Sequence, residues 1–207
     1  MVIKRESRGG MGGKILPDLY LVRGPFLREW RLACRLSALG LSPPPVAQEH
    51  HRFGPLFAVY GASLAVAGGT SLADLWKEGK MDGSPWIRSG EAVGRLHREG
   101  ILHGDLNAGN LVAGQDGRVL FLDLRHSRTF GTKPGARARA KNLGRLKRSL
   151  IKLNATRGLP LPDDVWGLIS SGYAEGWGER EPWLEGWEVA AARPFPFRRL
   201  FWRRNDF

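Results

Sequence analysis

Apolar residues recur at helical spacing just after Pro25. Phe26, Leu27, Trp30, Leu32, Ala33, Leu36 and Leu39 fall on one face before Gly40, which predicts an amphipathic helix opened by proline and stopped by glycine. Upstream, VIKRE and Leu19 to Val22 are short β-prone pieces on either side of the glycine-rich turn RGGMGGK, a pattern that predicts a hairpin. Pro43 to Pro45 form a stiff connector, and the apolar run from Leu56 to Val66 reads as a largely buried strand. Gly68, Gly69 and Thr70 break that pattern and mark an expected hinge between two lobes, after which Ser71 caps a short helix in SLADLW. Ser84 and Pro85 are expected to cap another helix, with Trp86, Ile87, Val93 and Leu96 facing inward until Gly100. ILHGDLNAGNLVAG then reads as a polar loop between apolar pieces, RVLFLD as a short buried strand ending in a carboxylate, and the chain beyond about Arg137 as mainly helical.

At 207 residues the chain has room for one sizeable core, or for two small lobes sharing a cleft, and not for two ordinary independent domains. A 42% hydrophobic composition with eight tryptophans excludes a disordered chain, which lacks the apolar surface to offset its ordering entropy. Cys34 is the single cysteine, so neither a disulfide framework nor a cysteine-rich zinc site is expected, and a reducing cytoplasm is the natural setting. MVIKRESRGG has no apolar signal core, and no stretch of about 20 apolar residues follows, so neither secretion by a standard signal nor a membrane crossing is expected. The formal net charge of +12 favours polyanionic partners: nucleic acid, an anionic membrane or a phosphorylated substrate.

The chemistry concentrates in His103-Gly104-Asp105-Leu106-Asn107-Ala108-Gly109-Asn110, which has the H-x-D-x-x-x-x-N spacing of a kinase catalytic loop, with Asp123 following at the end of a hydrophobic strand. Phosphoryl transfer needs a carboxylate to orient the attacking hydroxyl and accept its proton, and oxygen ligands to hold Mg²⁺ on the nucleotide phosphates. Asp105 suits the first task, and Asn110 and Asp123 the second; the neutral amide ligates a hard cation without adding negative charge beside a triphosphate. His103 is expected to brace the loop by hydrogen bonds. The plainer alternative is an ordinary turn, in which Asp and Asn are frequent, but turn chemistry does not predict the strand ending in Asp123.

The same logic asks for a lysine on a strand to contact phosphates and a glutamate on the next helix to hold it. Lys4 and Glu29 supply both, against the alternatives of a solvated terminal charge and a helix-surface residue. RGGMGGK is not a phosphate loop of the Walker type, because Ile15 follows Lys14, and a β-turn accounts for it better. The hairpin that covers the nucleotide in kinases would precede Lys4. With Met1 as its first residue, the chain leaves two alternatives, a truncated start or a weakened nucleotide site.

Three segments together, KRESRGGMGGK with the following EWRL, HGDLNAGN with LFLDLRHSR, and KNLGRLKRSLIK, resemble the lipopolysaccharide core kinases, most closely those acting on 3-deoxy-D-manno-octulosonic acid (Kdo). The HGD loop alone is shared with aminoglycoside phosphotransferases; its combination with the last segment is far more specific, and the resemblance spans roughly residues 2–152. It implies an α+β, protein-kinase-like fold of two lobes, a small β-rich N-lobe over residues 1–67 and a mainly helical C-lobe over residues 68–207. It further implies transfer of the ATP γ-phosphoryl, with Mg²⁺, to a hydroxyl of Kdo on the lipid A precursor at the cytoplasmic face of the inner membrane. Lys4, Glu29, Asp105, Asn110 and Asp123 match the family's functional positions, whereas Gly109 stands where the family commonly has His, and Leu124-Arg125 where a Phe-Asp pair usually follows the aspartate. Other readings remain: a kinase of the same fold acting on another small molecule or a protein, and a pseudokinase or binding module with an incomplete nucleotide lobe.

No acidic residue occurs between Asp123 and Asp163, while Arg125, Arg128, Lys133, Arg137, Arg139, Lys141, Arg145 and further basic residues crowd the segment, as an anionic sugar-lipid acceptor would require. The tail RPFPFRRLFWRRNDF interleaves arginine with aromatic rings, which suits peripheral attachment to an anionic membrane; packing of those rings on the C-lobe is the alternative. No recognisable nucleic-acid motif is formed, so nucleic acid is not the favoured partner.

Overall fold

Val2–Arg5 (β1), Pro45–Phe53 (β2) and Leu56–Ser63 (β3) build an antiparallel sheet in the order β1-β3-β2, with Lys4 opposite Gly61 and Phe53 opposite Leu56 at the hairpin end. The computed structural model describes residues 1–6, 19–79, 83–158, 161 and 164–185. The hairpin expected between VIKRE and residues 19–22 does not form: β1 runs along β3, and Tyr20 makes a single bridge to Phe57 of β3. Both pieces therefore use the central strand as their partner: β1 through its backbone ladder, with its four side chains left exposed, and Tyr20 with its ring buried. The turn RGGMGGK lies outside the described residues. β2 was invisible to periodicity because PVAQEHHRF is polar and mostly exposed, and it is held by the ladder to β3.

Gly24–Ala38 forms α1, with Pro25 in its first turn and Phe26, Leu32 and Leu36 buried. Leu27, expected on the inner face, is exposed, since it stands about 100° around the helix from Phe26. Tyr20 and Phe26 meet edge to face at 4.5 Å and with Val59 fasten the helix to the sheet.

Thr70–Ser71 (β4), Leu111–Ala113 (β6) and Val119–Phe121 (β7) form a second small sheet, and Ile101–Leu102 (β5) pairs with Arg128–Thr129 (β8). Around them lie Leu72–Lys77 (α2), Ser84–Arg98 (α3), Ala136–Arg157 (α4) and Val165–Trp177 (α5). Ser71 caps α2 as expected, its hydroxyl accepting from the Asp74 amide, whereas the cap of α3 is Gly83 and Ser84 is its first helical residue. One apolar cluster runs from Leu36 of α1 through Trp86, Phe121 and Leu146 to Tyr173 of α5, and the β1-β3-β2 sheet has a small cluster of its own in Tyr20, Phe26 and Val59.

The tightest packing joins α3 to α5. Gly90 and Gly94 face the backbone of Ile169 and Tyr173, while Gly172 and Gly176 face the carbonyls of Ile87 and Glu91, and any Cβ at these positions would strike main chain. Two pairs of glycines four residues apart, in SGEAVG and SGYAEG, thus let the two helix backbones touch.

Candidate active site

The loop between β5 and β6 carries His103, Asp105 and Asn110, and α4 holds it from below. Asn142 acts as a substitute strand: its Nδ2 donates to the His103 carbonyl (2.8 Å) and its Oδ1 accepts from the His103 amide (3.2 Å). One turn on, Arg145 donates to the Gly104 carbonyl, and Ser149 accepts from the Ala108 amide (3.2 Å). Asn142, Arg145 and Ser149 are three and four apart, hence on one face of the helix. A loop this polar would otherwise leave buried backbone groups unpaired at about 1–3 kcal/mol each.

His103 is buried. The Asp105 amide donates to its Nδ1 (3.1 Å), so that nitrogen is the bare one and Nε2 donates to the Leu122 carbonyl (2.9 Å). Burial holds its pKa below the usual value, and the two hydrogen bonds select this tautomer. His103 thus ties the loop to the strand bearing Asp123, the bracing role expected of it. Gly104 packs against the backbone of His126 so closely that a side chain there would collide, and its amide donates to the Ser127 hydroxyl (3.3 Å).

Asn107 orients the Asp105 side chain: its Nδ2 donates to Asp105 Oδ2 (3.0 Å), while its Oδ1 caps the 3₁₀ turn Ala108–Asn110 by accepting from the amides of Gly109 and Asn110. Asn110 Nδ2 donates to the Asp105 carbonyl (2.9 Å), which turns over its Oδ1 as the atom left for another ligand. Asp123 has φ +52°, the one non-glycine residue with positive φ among those described. That conformation costs roughly 1–3 kcal/mol and persists only where the surroundings enforce it, here the Leu122 amide's bond to the Asn110 carbonyl (2.9 Å) on one side and buried Leu124 on the other. Among the described residues the Asp123 carboxylate has no hydrogen-bond or ion-pair partner.

Asp105 and Asp123 share the wall of one open cleft with Lys4, Arg125, His126 and Arg145. Lys4 and Asp123 also border a second cleft of about 360 Å³ beneath the β1-β3-β2 sheet, which reaches Glu29, Asn110 and Phe121. All five residues singled out in the sequence therefore line two adjoining spaces. The expected ion pair of Lys4 with Glu29 is rearranged. Lys4 Nζ lies 3.7 Å from Glu6, and Arg125 stands between the elements, ion-paired to Glu6 and with Nε 3.5 Å from Glu29. Glu29 Oε2 is buried and accepts no hydrogen bond among the described residues. Burial pushes the Glu29 carboxyl up to about 7, with Asp123 adding to the rise and Lys4 opposing it.

Part of the basic segment is structural. Arg139 is buried, donating to both oxygens of Glu181 (2.7 and 2.8 Å) and stacked 3.8 Å over the Trp177 ring, and Lys147 is buried with its ammonium 5.0 Å from the Trp166 ring. Burial, cation–π contact and ion pairing absorb these charges. Arg157's side chain and the basic-aromatic tail lie outside the described residues.

Sequence reasoning assigned no role to Asn142, Ser149, Asn107 or His97. His97 is fully buried between Tyr173 (2.9 Å) and Asn142 (3.0 Å), and burial pushes its pKa down to about 4. Asn107 could have been found from the Asx-turn chemistry of NAGN. Asn142 and Ser149 signalled themselves only as parts of the segment KNLGRLKRSLIK, and His97 carried no signal of its own.

A profile of the Lipopolysaccharide kinase (Kdo/WaaP) family matches residues 2–172. The 3-deoxy-D-manno-octulosonic acid kinase of Xanthomonas axonopodis pv. citri is 31% identical over 184 residues, covering 86% of this chain and 72% of the relative. The enzyme of the same name from Stenotrophomonas maltophilia is 32% identical over 181 residues, covering 85% and 72%. Among solved structures, a divergent kinase lacking the glycine-rich loop, which regulates membrane ultrastructure of the Toxoplasma parasitophorous vacuole, superposes with a TM-score of 0.41 at 18% identity, covering 86% of this chain and 72% of that one. With a kinase-type loop and strand-end aspartate around one cleft and a family match over most of its length, the chain belongs to the lipopolysaccharide kinase (Kdo/WaaP) family of phosphotransferases, which act on an alcohol group, and has a kinase-like α+β fold.

Proposed function

We propose that this chain transfers the γ-phosphoryl of ATP to a hydroxyl of a lipopolysaccharide inner-core sugar, Kdo attached to lipid A. The observation that carries the reading is the meeting of Asp105, Asn110, Asp123 and Lys4 around adjoining clefts, in a chain about 30% identical to kinases of that sugar acid.

Asp105, which lines the cleft, orients the acceptor hydroxyl and takes its proton, and the Asn107 amide keeps that carboxylate in place. Asn110 and Asp123 would hold Mg²⁺. The donor set fits: a carboxylate without a partner among the described residues and an amide whose nitrogen is already engaged, so that oxygen is what it offers. Two protein oxygens are too few to cage a divalent ion alone, which suits a metal completed by nucleotide phosphates and water. When bound, the ion neutralises charge on the transferring group. Lys4, 3.7 Å from Glu6, contacts the phosphates, and Glu29 on the next helix acts on it through its charge when ionised. In this proposal residues 1–67 cover the nucleotide and residues 68–207 carry the base and metal ligands.

Among the described residues no helix is long and apolar enough to cross a membrane. We assign contact with the inner membrane's cytoplasmic face to the tail, where each basic residue near an anionic leaflet contributes about 1 kcal/mol. Deleting residues 194–207 should reduce co-sedimentation with anionic liposomes; unchanged binding removes the anchor. The kinase reading is tested by incubating the chain with Kdo-lipid A, ATP and Mg²⁺ and following the acceptor by mass spectrometry. A phosphorylated acceptor is expected, and its absence with active nucleotide binding would reject the acceptor.

A further inference from the structure

We infer that Arg145, with His126 beside it, reads the carboxylate of the acceptor sugar acid and thereby sets which hydroxyl meets Asp105. The inference rests on the acceptor reading above and names the residues that would enforce it.

Asp105 and Asp123 both face the open cleft, and an acidic acceptor entering it meets two carboxylates. A cation must offset that repulsion close to the base, or such an acceptor is excluded. Four basic side chains border the opening: Lys4, Arg125, His126 and Arg145. Arg125 is largely buried and already faces Glu6 and Glu29, and Lys4 lies by Glu6. Arg145 is exposed, and its one hydrogen bond among the described residues is the donation from Nη1 to the Gly104 carbonyl. That bond fixes the guanidinium one residue from the base and leaves the rest of the fork directed to solvent and cleft. A planar fork held this way suits bidentate pairing with a carboxylate. His126 is exposed, makes no hydrogen bond among the described residues, and is brought beside the loop by the backbone contact with Gly104. A sugar acid seated on these two groups lies in the cleft that Asp105 lines. The same arrangement explains why position 104 carries no side chain: one would push His126 away from the base.

The test compares two acceptors, the Kdo-bearing lipid and the same lipid with the sugar carboxylate converted to its carboxamide. Wild-type chain should prefer the acid in kcat/KM by about 30-fold, the scale of a charge-assisted pair. Arg145→Gln should bring that preference to within a few-fold of unity while the KM for ATP stays put, and Arg145→Lys, with charge but no fork, should fall between. Equal losses on both acceptors would mean that Arg145 only braces Gly104, and an unchanged preference would mean that the carboxylate is read elsewhere; either overturns the inference. Thermal midpoints of the variants separate misfolding from lost recognition, with Arg145→Lys as the readout if Arg145→Gln does not fold. If wild-type chain phosphorylates neither acceptor, the acceptor reading itself fails. If it phosphorylates both alike, only the present inference fails.

Discussion

His97 and Glu29 are titrating groups that burial displaces in opposite directions, and stability should record both. The unfolded chain protonates His97 near the usual 6.5, whereas the folded one holds it neutral down to about 4. Its contribution is therefore complete above pH 6.5 and is lost as pH falls toward 4, by up to about 3 kcal/mol. Glu29 runs the other way, because its folded pKa is raised from 4.5 to about 7: stability is full below pH 4.5 and declines as pH rises through 7. Thermal midpoints against pH should flatten on the acid side in His97→Gln and on the neutral side in Glu29→Gln. Asn142→Leu removes the bonds to both backbone groups of His103 and the partner of His97, and should cost about 2–4 kcal/mol together with most of kcat, since the loop beneath Asp105 loses its substitute strand. Asp105→Ala should lower turnover by about 10²–10⁴-fold with an unchanged thermal midpoint, if it is the base, because its exposed carboxylate supports little of the fold. That Asp105, Asn110 and Asp123 belong together was legible because kinase chemistry fixes their spacing along the chain, and the structure brings them to adjoining clefts. Asn142 and His97 were not, because their partners lie 39 to 76 residues away.

At the scale of elements, the α3–α5 crossing and α4 decide whether the site forms. Gly172 faces the Ile87 carbonyl, part of a helix that cannot yield locally, so Gly172→Ala should destabilise the chain by about 1–3 kcal/mol even though alanine is the better helix former. Chemical denaturation measures this, and a neutral or stabilising change would mean that the helices part at little cost. Helices α1 to α3 were legible from periodicity, proline and glycine. β2 was not, since its polar sequence becomes a strand only by pairing with β3. The expected hairpin between β1 and residues 19–22 failed for the same reason: β-propensity marks segments that can pair and does not choose the partner.

For the whole molecule, a nucleotide held between the sheet and the helical part should stabilise the fold. ATP with Mg²⁺ at about a hundred times its dissociation constant should add about 2.7 kcal/mol. Asp123→Ala should remove the Mg²⁺-dependent share of that shift, and a shift that survives intact would displace Asp123 from the metal. The large positive charge also proved to be of two kinds: Arg139 and Lys147 are spent inside on Glu181 and aromatic rings, and Arg145 faces the cleft. By itself the amino-acid order determined the family, the helices, and which carboxylates and amide could do the chemistry, because reaction mechanism and helical period both act over short stretches of chain. Only the tertiary structure decided which strand pairs with which, that Arg125 pairs with Glu6 and Glu29, and that one face of α4 carries the loop beneath Asp105, because those outcomes depend on distances between residues far apart along the chain.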